Sequence, residues 1–180
     1  SSSFTQSTAL LVSEALWEYR VDTTVGSTSG LPSLVVRPVG HGGPTLVSVH
    51  PVPPTPTRMN EWKDGLEWLA ELCRSRNVIL AGDFNATLDH FHGLRDDGAD
   101  LGACRDGALA TGNASVGTWP SLVPPLLGSP IDRVMATNEW GFASFRVARE
   151  LDGLGSDHRA VIATLYSRLL AQTTDAERSL

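Results

Sequence analysis

The sequence predicts one domain of mixed α/β fold, in which a helix packs against a β-sheet. In the opening third, short apolar stretches separated by turn residues are typical of a β-meander. Residues 59–76 then change to a helical period and lead directly into an apolar strand at residues 78–85. A chain of 180 residues, of which 41% are hydrophobic, is long enough to bury one core.

Alternating apolar residues define the strands of the opening third. We predict these strands at residues 8–13, 19–25, 33–39 and 45–50. The Pro-rich segment 51–56 ends the fourth strand, since proline has no N–H to donate to a neighbouring strand. His50 is the last residue of that strand.

The predicted helix at residues 59–76 carries one apolar face. Its members recur at intervals of three and four residues and are Met59, Trp62, Leu66, Leu69 and Cys73. Thr57 is the predicted N-cap, and Arg74 and Arg76 suit the C-terminal end of the helix dipole. We therefore expect this face to pack in the core against the strand that follows.

The strand at residues 78–85 ends in the sequence Gly-Asp-Phe-Asn. Because strand side chains alternate, Asp83 and Asn85 are expected to point the same way, toward a site at the end of the sheet. The alternative is an Asx-type turn that simply leaves the strand.

The remainder of the chain contains a polar, Gly-rich region and three further strands. We predict a short helix at residues 101–109 and strands at 130–137, 143–149 and 160–166. The folded domain is thus expected to cover residues 1–166, followed by a tail at 167–180 without a functional signal.

Three residues of the polar region have two interpretations each. His90 and His92 could hold a metal, but two histidines without a third ligand nearby favour an exposed loop. Trp119 could stack on a substrate, although we favour a side chain that plugs the end of the sheet.

Charge and composition exclude some functions. The formal net charge is −6, and the 14 Lys and Arg residues are dispersed, with Lys63 as the only lysine. A long nucleic acid duplex is therefore a poor partner, because duplex binding depends on clustered cations. No apolar run approaches the ~18 residues of a membrane span, and the first residues lack the pattern of a signal peptide.

The two cysteines allow two interpretations. No metal-ligand spacing surrounds Cys73 or Cys104, so they are either two buried small residues or one disulfide. A disulfide would imply an oxidising compartment.

An acid and a histidine stand at the ends of the later strands. Asp132 lies just inside a strand start, where a carboxylate needs a partner, and His158 is a suitable one. A carboxylate that accepts from one imidazole nitrogen fixes the tautomer of the ring and supports its positive charge. The alternative for Asp132 is a surface salt bridge with Arg133.

Three further residues suit a metal ion. Asp83, Asn85 and Asp157 offer the hard oxygen ligands that Mg²⁺ prefers. The alternative for Asp157 is a helix cap or a turn cap, and the alternative for His50 is a hydrogen-bonded core histidine.

Four segments, each at a predicted strand end, together resemble the endonuclease/exonuclease/phosphatase superfamily. They are Ser-Val-His at 48–50, Gly-Asp-Phe-Asn at 82–85, Ile-Asp-Arg-Val at 131–134 and Ser-Asp-His at 156–158. The resemblance runs from about Thr8 to Tyr166 and corresponds to the C-terminal two-thirds of that domain. It implies the deoxyribonuclease-I-like fold, a two-sheet α/β sandwich flanked by helices.

The resemblance also implies a metal-dependent phosphoesterase that hydrolyses a phosphodiester or a phosphomonoester. Asp83 would orient or deprotonate the attacking water, and Asn85 would steady the transition state. Asp157, with Asp83 and Asn85, would belong to the site of Mg²⁺, with Mn²⁺ as the alternative metal.

Two histidines complete the implied site. His158, held by Asp132, would contact the phosphoryl oxygens. His50 would take the place of the histidine that serves as general acid in the nuclease and sphingomyelinase branches of the superfamily.

One departure from the superfamily pattern affects these expectations. The superfamily places an Asn after its first strand and a metal-binding Glu after its second, and neither occurs at the corresponding place here. The resemblance therefore implies an N-terminally truncated domain, apparently lacking its first strands, with a bare sheet edge able to self-associate. The alternative function is a catalytically inactive sandwich that serves as a binding or scaffolding module.

The acidic balance favours a small-molecule or lipid-linked phosphate ester over long nucleic acid. Bacterial members with a similar Thr-Trp-Pro and Pro-Ile-Asp-Arg-Val pattern often carry membrane-spanning segments before the catalytic domain. By that resemblance we expect the extracytoplasmic face of a bacterial membrane, with the cytoplasm as the alternative.

Overall fold

A computed structural model describes residues 8–40 and 42–169 of the chain. The strands are β1 (Tyr19–Val21), β2 (Leu34–Pro38), β3 (Thr45–Val49), β4 (Val78–Asp83), β5 (Arg105–Asp106), β6 (Asp132–Ala136), β7 (Trp140–Val147) and β8 (Val161–Ser167). The α-helices are α1 (Met59–Cys73) and α2 (Gly107–Ala110), and 3₁₀ turns occur at Leu88–Phe91, Pro125–Leu127 and Arg149–Leu151.

The strands form two sheets. The larger sheet has the order β1-β2-β3-β4-β6-β5, and the smaller sheet pairs β7 with β8. Only β3 and β4 are parallel within the described residues, because α1 carries the chain back across the sheet between them. The predicted two-sheet α/β sandwich is confirmed.

Helix α1 covers one face of the larger sheet. Its side chains Trp62, Leu66 and Leu69 are buried there against Val47 and Leu80, as the helical period predicted. A second and smaller cluster, centred on Ala108, Val134 and Phe145, joins the opposite face of the larger sheet to the β7-β8 pair. The core therefore has two parts of unequal size.

Cys73 and Cys104 form a disulfide. The bond ties the end of α1 to the loop before β5, and both residues are fully buried. Of the two interpretations left open by the sequence, the structure contains the disulfide.

Removing this disulfide is expected to lower the free energy of unfolding. The bond closes a sequence separation of 31 residues, so a Cys73→Ser/Cys104→Ser variant should lose about 3–4 kcal/mol, chiefly because its unfolded chain gains entropy. Urea denaturation of both proteins measures the difference. The control is the same pair of measurements in reducing agent, which breaks the disulfide, so the two proteins should then have nearly equal stability. A difference of the same size with and without reducing agent would show that the disulfide is not its cause.

Several predicted boundaries differ from the structure. Residues 8–13 form no strand and pair with no strand among the described residues; Leu10 and Val12 instead line a cavity together with Leu34 and Val36. Helix α1 is capped by Arg58, without a side-chain hydrogen bond, so the predicted cap at Thr57 is wrong. The helix ends at Cys73, three residues earlier than the sequence suggested.

The helix predicted at residues 101–109 is largely wrong. Only α2 is helical, because Cys104 is held by the disulfide and Asp106 is held by Arg133. The predicted tail begins one residue too early, since Ser167 still belongs to β8. Residues 170–180 of that tail lie outside the described residues.

Candidate active site

The two sheets meet at a cluster of two acids and one histidine. Asp83 ends β4 and Asp132 begins β6, and the two residues are direct partners in the antiparallel register. His158 comes from the loop before β8, and its Nδ1 lies 2.9 Å from Asp132 Oδ2. Its Nε2 lies 4.0 Å from Asp83 Oδ2. Side chains far apart in the sequence thus converge, as the strand-end positions predicted.

The hydrogen bond between His158 and Asp132 orients the imidazole ring. It raises the pKa of His158 above its ordinary value, with the nearby negative charges of Asp132, Asp83 and Asp157 acting in the same direction against burial. Asp132 is fixed in turn, because Thr118 Oγ1 accepts a hydrogen bond from its backbone N–H. A positively charged, oriented imidazole is suited to contact an anionic oxygen.

The turn after β4 depends on unusual backbone conformations. Gly82 has a φ of +146°, and a Cβ there would collide with the carbonyl oxygen of Val49. Asn85 has a φ of +46°, a left-handed conformation that Asn adopts more readily than most residues. Its backbone N–H donates to Asp83 Oδ1 at 2.7 Å, so the Asx-type turn allowed by the sequence is present.

The expectation that Asp83 and Asn85 both point from one strand is wrong, because the strand ends at Asp83. The Asn85 side-chain amide instead donates to the carbonyl oxygen of Pro51 at 2.9 Å. The Asn85 carbonyl accepts from the Trp62 indole at 3.1 Å. Asn85 still lines a cavity together with His158, so it remains a neighbour of the cluster.

Burial raises the pKa of Asp83 to about 6. The charges of Asp132 and Asp157 contribute to this rise, whereas the hydrogen bond from Asn85 and the charge of His158 oppose it. Asp83 is therefore a partly buried acid, and the surrounding described groups offset only part of its negative charge.

Replacing Asp83 by Asn is expected to stabilise the metal-free protein at pH 7. Because the folded-state pKa lies above the unfolded value, keeping this carboxylate charged costs stability as pH rises from about 4 to 6. The variant should gain about 2–3 kcal/mol at pH 7 and nothing near pH 3.5. Urea denaturation in EDTA at both pH values measures the gain.

The control for this prediction is the exposed Asp97, whose replacement by Asn should change stability little at either pH. An Asp83→Asn effect of equal size at both pH values would show that packing, not charge, is responsible.

Asp157 and Trp119 lie at the mouth of the cluster. The Trp119 indole donates to Asp157 Oδ2 at 3.1 Å, and its ring centre is 6.3 Å from that of His158. Trp119 is 40% exposed, so the favoured interpretation of a plug at the end of the sheet is wrong. Asp157 is exposed yet close enough for its charge to raise the pKa of Asp83.

His50 stands just beyond β3 and is half-buried. Burial lowers its pKa below the ordinary value, and the positive charge of His158 adds to this effect while Asp132 opposes it. Among the described residues, its ring has no hydrogen-bond partner, which argues against the core histidine alternative. His50 therefore shares the electrostatic environment of the cluster.

Arg159 anchors the loop that carries the site, a role that sequence reasoning missed. Its side chain is 2% exposed, and its Nε donates to both carboxylate oxygens of Asp152. Its terminal nitrogens donate to backbone carbonyl oxygens, at Ser121 and Val123 among others. The residue next to His158 thus holds the 117–123 loop, which contains Trp119. In the sequence, only its position directly after Ser-Asp-His could have indicated this role.

Arg133 has a different partner from the one considered in the sequence. Its Nη1 donates to Asp106 Oδ2 at 2.9 Å, and both side chains are buried. The alternative of a surface salt bridge between Arg133 and Asp132 is therefore wrong, and Asp132 pairs with His158 instead.

The donor set fits a hard divalent cation. Ligand atoms of Asp83, Asp132 and His158 lie within 4.8 Å of one another, and Asp157 adds negative charge nearby. Among the described residues, no Arg or Lys forms an ion pair with these acids. A cation would offset this excess of negative charge. Of the three predicted metal ligands, only Asp83 belongs to this group. His90 and His92 lie outside this group.

The fold and the site together define a two-sheet sandwich of the deoxyribonuclease-I-like class, with acids and histidines converging at the strand ends. The chain belongs to the Endonuclease/Exonuclease/phosphatase family, whose model matches residues 6–158. Enzymes of this family are hydrolases and generally use divalent metals. No curated protein matches the chain significantly.

Solved structures with a similar fold come from several organisms. A humanized TDP2 of D. rerio is 17% identical with a TM-score of 0.60, and the match covers 83% of this chain and 66% of that one. An endonuclease/exonuclease/phosphatase from Beutenbergia cavernae is 19% identical with a TM-score of 0.53, covering 75% and 39%. The mannosyl-6-phosphatase Bt3783 of Bacteroides thetaiotaomicron is 19% identical with a TM-score of 0.50, covering 74% and 55%.

These likenesses show the fold alone. The chain spans less than two thirds of the length of each of these three proteins. Within the described residues, no helix is long and apolar enough to cross a membrane.

Proposed function

We propose that this chain is the catalytic body of a divalent-metal-dependent phosphoesterase. The observation that carries the proposal is the convergence of Asp83, Asp132 and His158 at the junction of the two sheets. Phosphoryl transfer depends mainly on positioning and on stabilisation of charge, and this cluster offers a base, an oriented imidazole and a group of ligand atoms for a metal.

The first group of residues acts on the attacking water. Asp83 is charged at neutral pH with a pKa of about 6, so it can hold the water and accept its proton. Asn85, fixed by Pro51 and by the turn to Asp83, steadies the geometry on the same side of the site. Asp83, Asn85 and Asp157 would hold Mg²⁺ or Mn²⁺, which would neutralise charge on the phosphoryl oxygens.

The second group acts on the phosphoryl and leaving oxygens. His158, kept in one orientation by Asp132, donates to a phosphoryl oxygen. His50 in its protonated form gives a proton to the leaving oxygen. Burial lowers its pKa, so the ring releases the proton readily but carries it in a smaller fraction of molecules as pH rises.

The substrate we propose is a small-molecule or lipid-linked phosphodiester or phosphomonoester. The two buried arginines near the site are already paired, Arg133 with Asp106 and Arg159 with Asp152. Neither is free to follow a phosphate backbone, and the net charge is −6. TDP2 and a mannosyl-6-phosphatase share the fold, so the fold itself does not select the substrate.

The test is hydrolysis of bis(p-nitrophenyl) phosphate and p-nitrophenyl phosphate by the intact protein. Turnover should require Mg²⁺ or Mn²⁺, disappear in EDTA and return when the metal is restored. The Asp83→Asn variant should fold but show no turnover, whereas the Asp97→Asn variant should keep its turnover. Turnover that persists in EDTA, or that survives Asp83→Asn, would overturn the proposal.

A binding or scaffolding module is the second candidate function. Among the described residues, the cluster able to hold a metal contains no Glu, and β8 exposes Ile162 and Tyr166 beside its unpaired edge. An unpaired strand edge is a ready surface for another chain. Absence of turnover with Mg²⁺, together with dimers in analytical ultracentrifugation that Ile162→Lys abolishes, would favour this candidate.

A further inference from the structure

A cavity of about 450 Å³ opens beside the cluster of Asp83, Asp132 and His158. It shares Asn85 and His158 with the candidate active site, so a group bound there would be attached close to the reacting phosphate. Cavities of this size are typical of small-ligand sites.

Several side chains that contain rings line the cavity. Trp119 stands on one side, and Pro53, Pro54 and His90 also line the space. Trp119 is held by its hydrogen bond to Asp157. His90 is held by two contacts, since its Nδ1 accepts from the Thr87 N–H at 3.0 Å and its ring meets Trp62 edge-on. These aromatic walls are therefore fixed before a ligand arrives.

The cavity has no fixed charge apart from what the histidines can carry. Among the described residues that line it, none is Lys, Arg, Asp or Glu. An ammonium group would lose its hydration there without gaining an anionic partner from the lining residues. A flat, uncharged group would instead gain contact with ring faces.

We propose that this cavity binds the organic group of the phosphate ester, and that the group is planar and uncharged, such as an aryl ring or a single base. This inference rests on the proposed function and adds the substrate class. Trp119 serves as the stacking surface, so a planar group is preferred over a saturated ring or an acyl chain.

The test measures binding separately from turnover. Isothermal titration calorimetry, with Mg²⁺ present throughout, compares the binding of 2-phenylethylphosphonate and 2-cyclohexylethylphosphonate to the intact protein. Both compounds carry the same anionic group, and neither can be hydrolysed, because a P–C bond replaces the ester P–O–C linkage. The phenyl compound should bind about tenfold more tightly, because stacking on an aromatic face adds to ordinary apolar contact.

Three variants make the test specific. Trp119→Ala should abolish the preference for the phenyl compound, and Trp119→Phe should keep it although the hydrogen bond to Asp157 is lost. The control Leu122→Ala, at a side chain 87% exposed in the same loop, should change nothing. Equal affinities in the wild type, no binding of either compound, or a preference that survives Trp119→Ala would each overturn the inference.

Turnover of the matching phosphate esters then tests the proposed function separately. Hydrolysis without a phenyl preference in binding would refute the cavity assignment alone. A phenyl preference without hydrolysis would leave the cavity assignment standing and refute the phosphoesterase.

Discussion

Replacing His158 by Ala is expected to reduce kcat of the intact protein about 10³-fold while the fold is retained. The imidazole is the only described group that Asp132 orients toward Asp83, with hydrogen-bond distances of 3.2 and 2.9 Å to the two oxygens of Asp132. Loss of a preorganised donor to a transition-state oxygen typically costs two to three orders of magnitude. Steady-state hydrolysis in Mg²⁺ measures kcat, and circular dichroism with urea denaturation reports on the fold.

The matched control is His92→Ala, since His92 is an exposed histidine outside the cluster. It should retain full turnover. Asp132→Asn should fall between the two, because the ring remains while its orientation and positive charge are weakened. Near wild-type kcat in His158→Ala would remove this residue from the mechanism.

Replacing Arg159 by Gln is expected to cost about 3–5 kcal/mol of unfolding free energy. The buried guanidinium ties Asp152 and several backbone carbonyls of the 117–123 loop together, and glutamine cannot reach them all. Because this loop carries Trp119 and adjoins His158, kcat should fall as well. Urea denaturation and hydrolysis assays at a temperature where the variant is folded separate the two effects.

Two further variants test the geometry. Arg159→Lys keeps the positive charge near Asp152 but has no planar fork, so it should recover only part of the stability. Arg149→Gln removes an exposed arginine from the 3₁₀ turn that precedes Asp152 and should change stability by less than about 0.5 kcal/mol. An Arg159→Gln variant as stable as Arg149→Gln would show that the buried contacts do not hold the loop.

The sequence predicted the parts of the fold that depend on local pattern. The apolar period located α1, and alternation located β2, β3 and β6 to within a residue or two. Candidate residues were found where a polar side chain interrupts an apolar pattern at a strand end, as at Asp83 and Asp132. The resemblance to a family then supplied their spatial order.

Features that depend on distant contacts could not be predicted locally. The Arg133–Asp106 pair spans 27 residues, and the Arg159 contacts to the 117–123 loop span up to 42. The spacing of Cys73 and Cys104 likewise left two interpretations open, since only the folded chain brings them together.

Two errors came from treating a pattern as if it continued. Asn85 was assigned to strand alternation, but the left-handed turn after Asp83 redirects its side chain to Pro51. Residues 8–13 form a short apolar run of the kind found in strands, yet no strand edge pairs with them in the described structure. Both cases show that a local pattern does not by itself fix side-chain direction or strand pairing.

The unequal division of the core determines which part of the site is expected to open first when the fold fluctuates. Asp83 and Asp132 are fixed in the large sheet, whereas His158 precedes β8, whose apolar residues belong to the smaller cluster of Ala108, Val134 and Phe145. Elements with few buried contacts open by sub-global fluctuations before the rest of a domain. Amide protons of β8 should therefore exchange with solvent sooner than those of β4, and each such opening would withdraw the imidazole from an otherwise folded sheet.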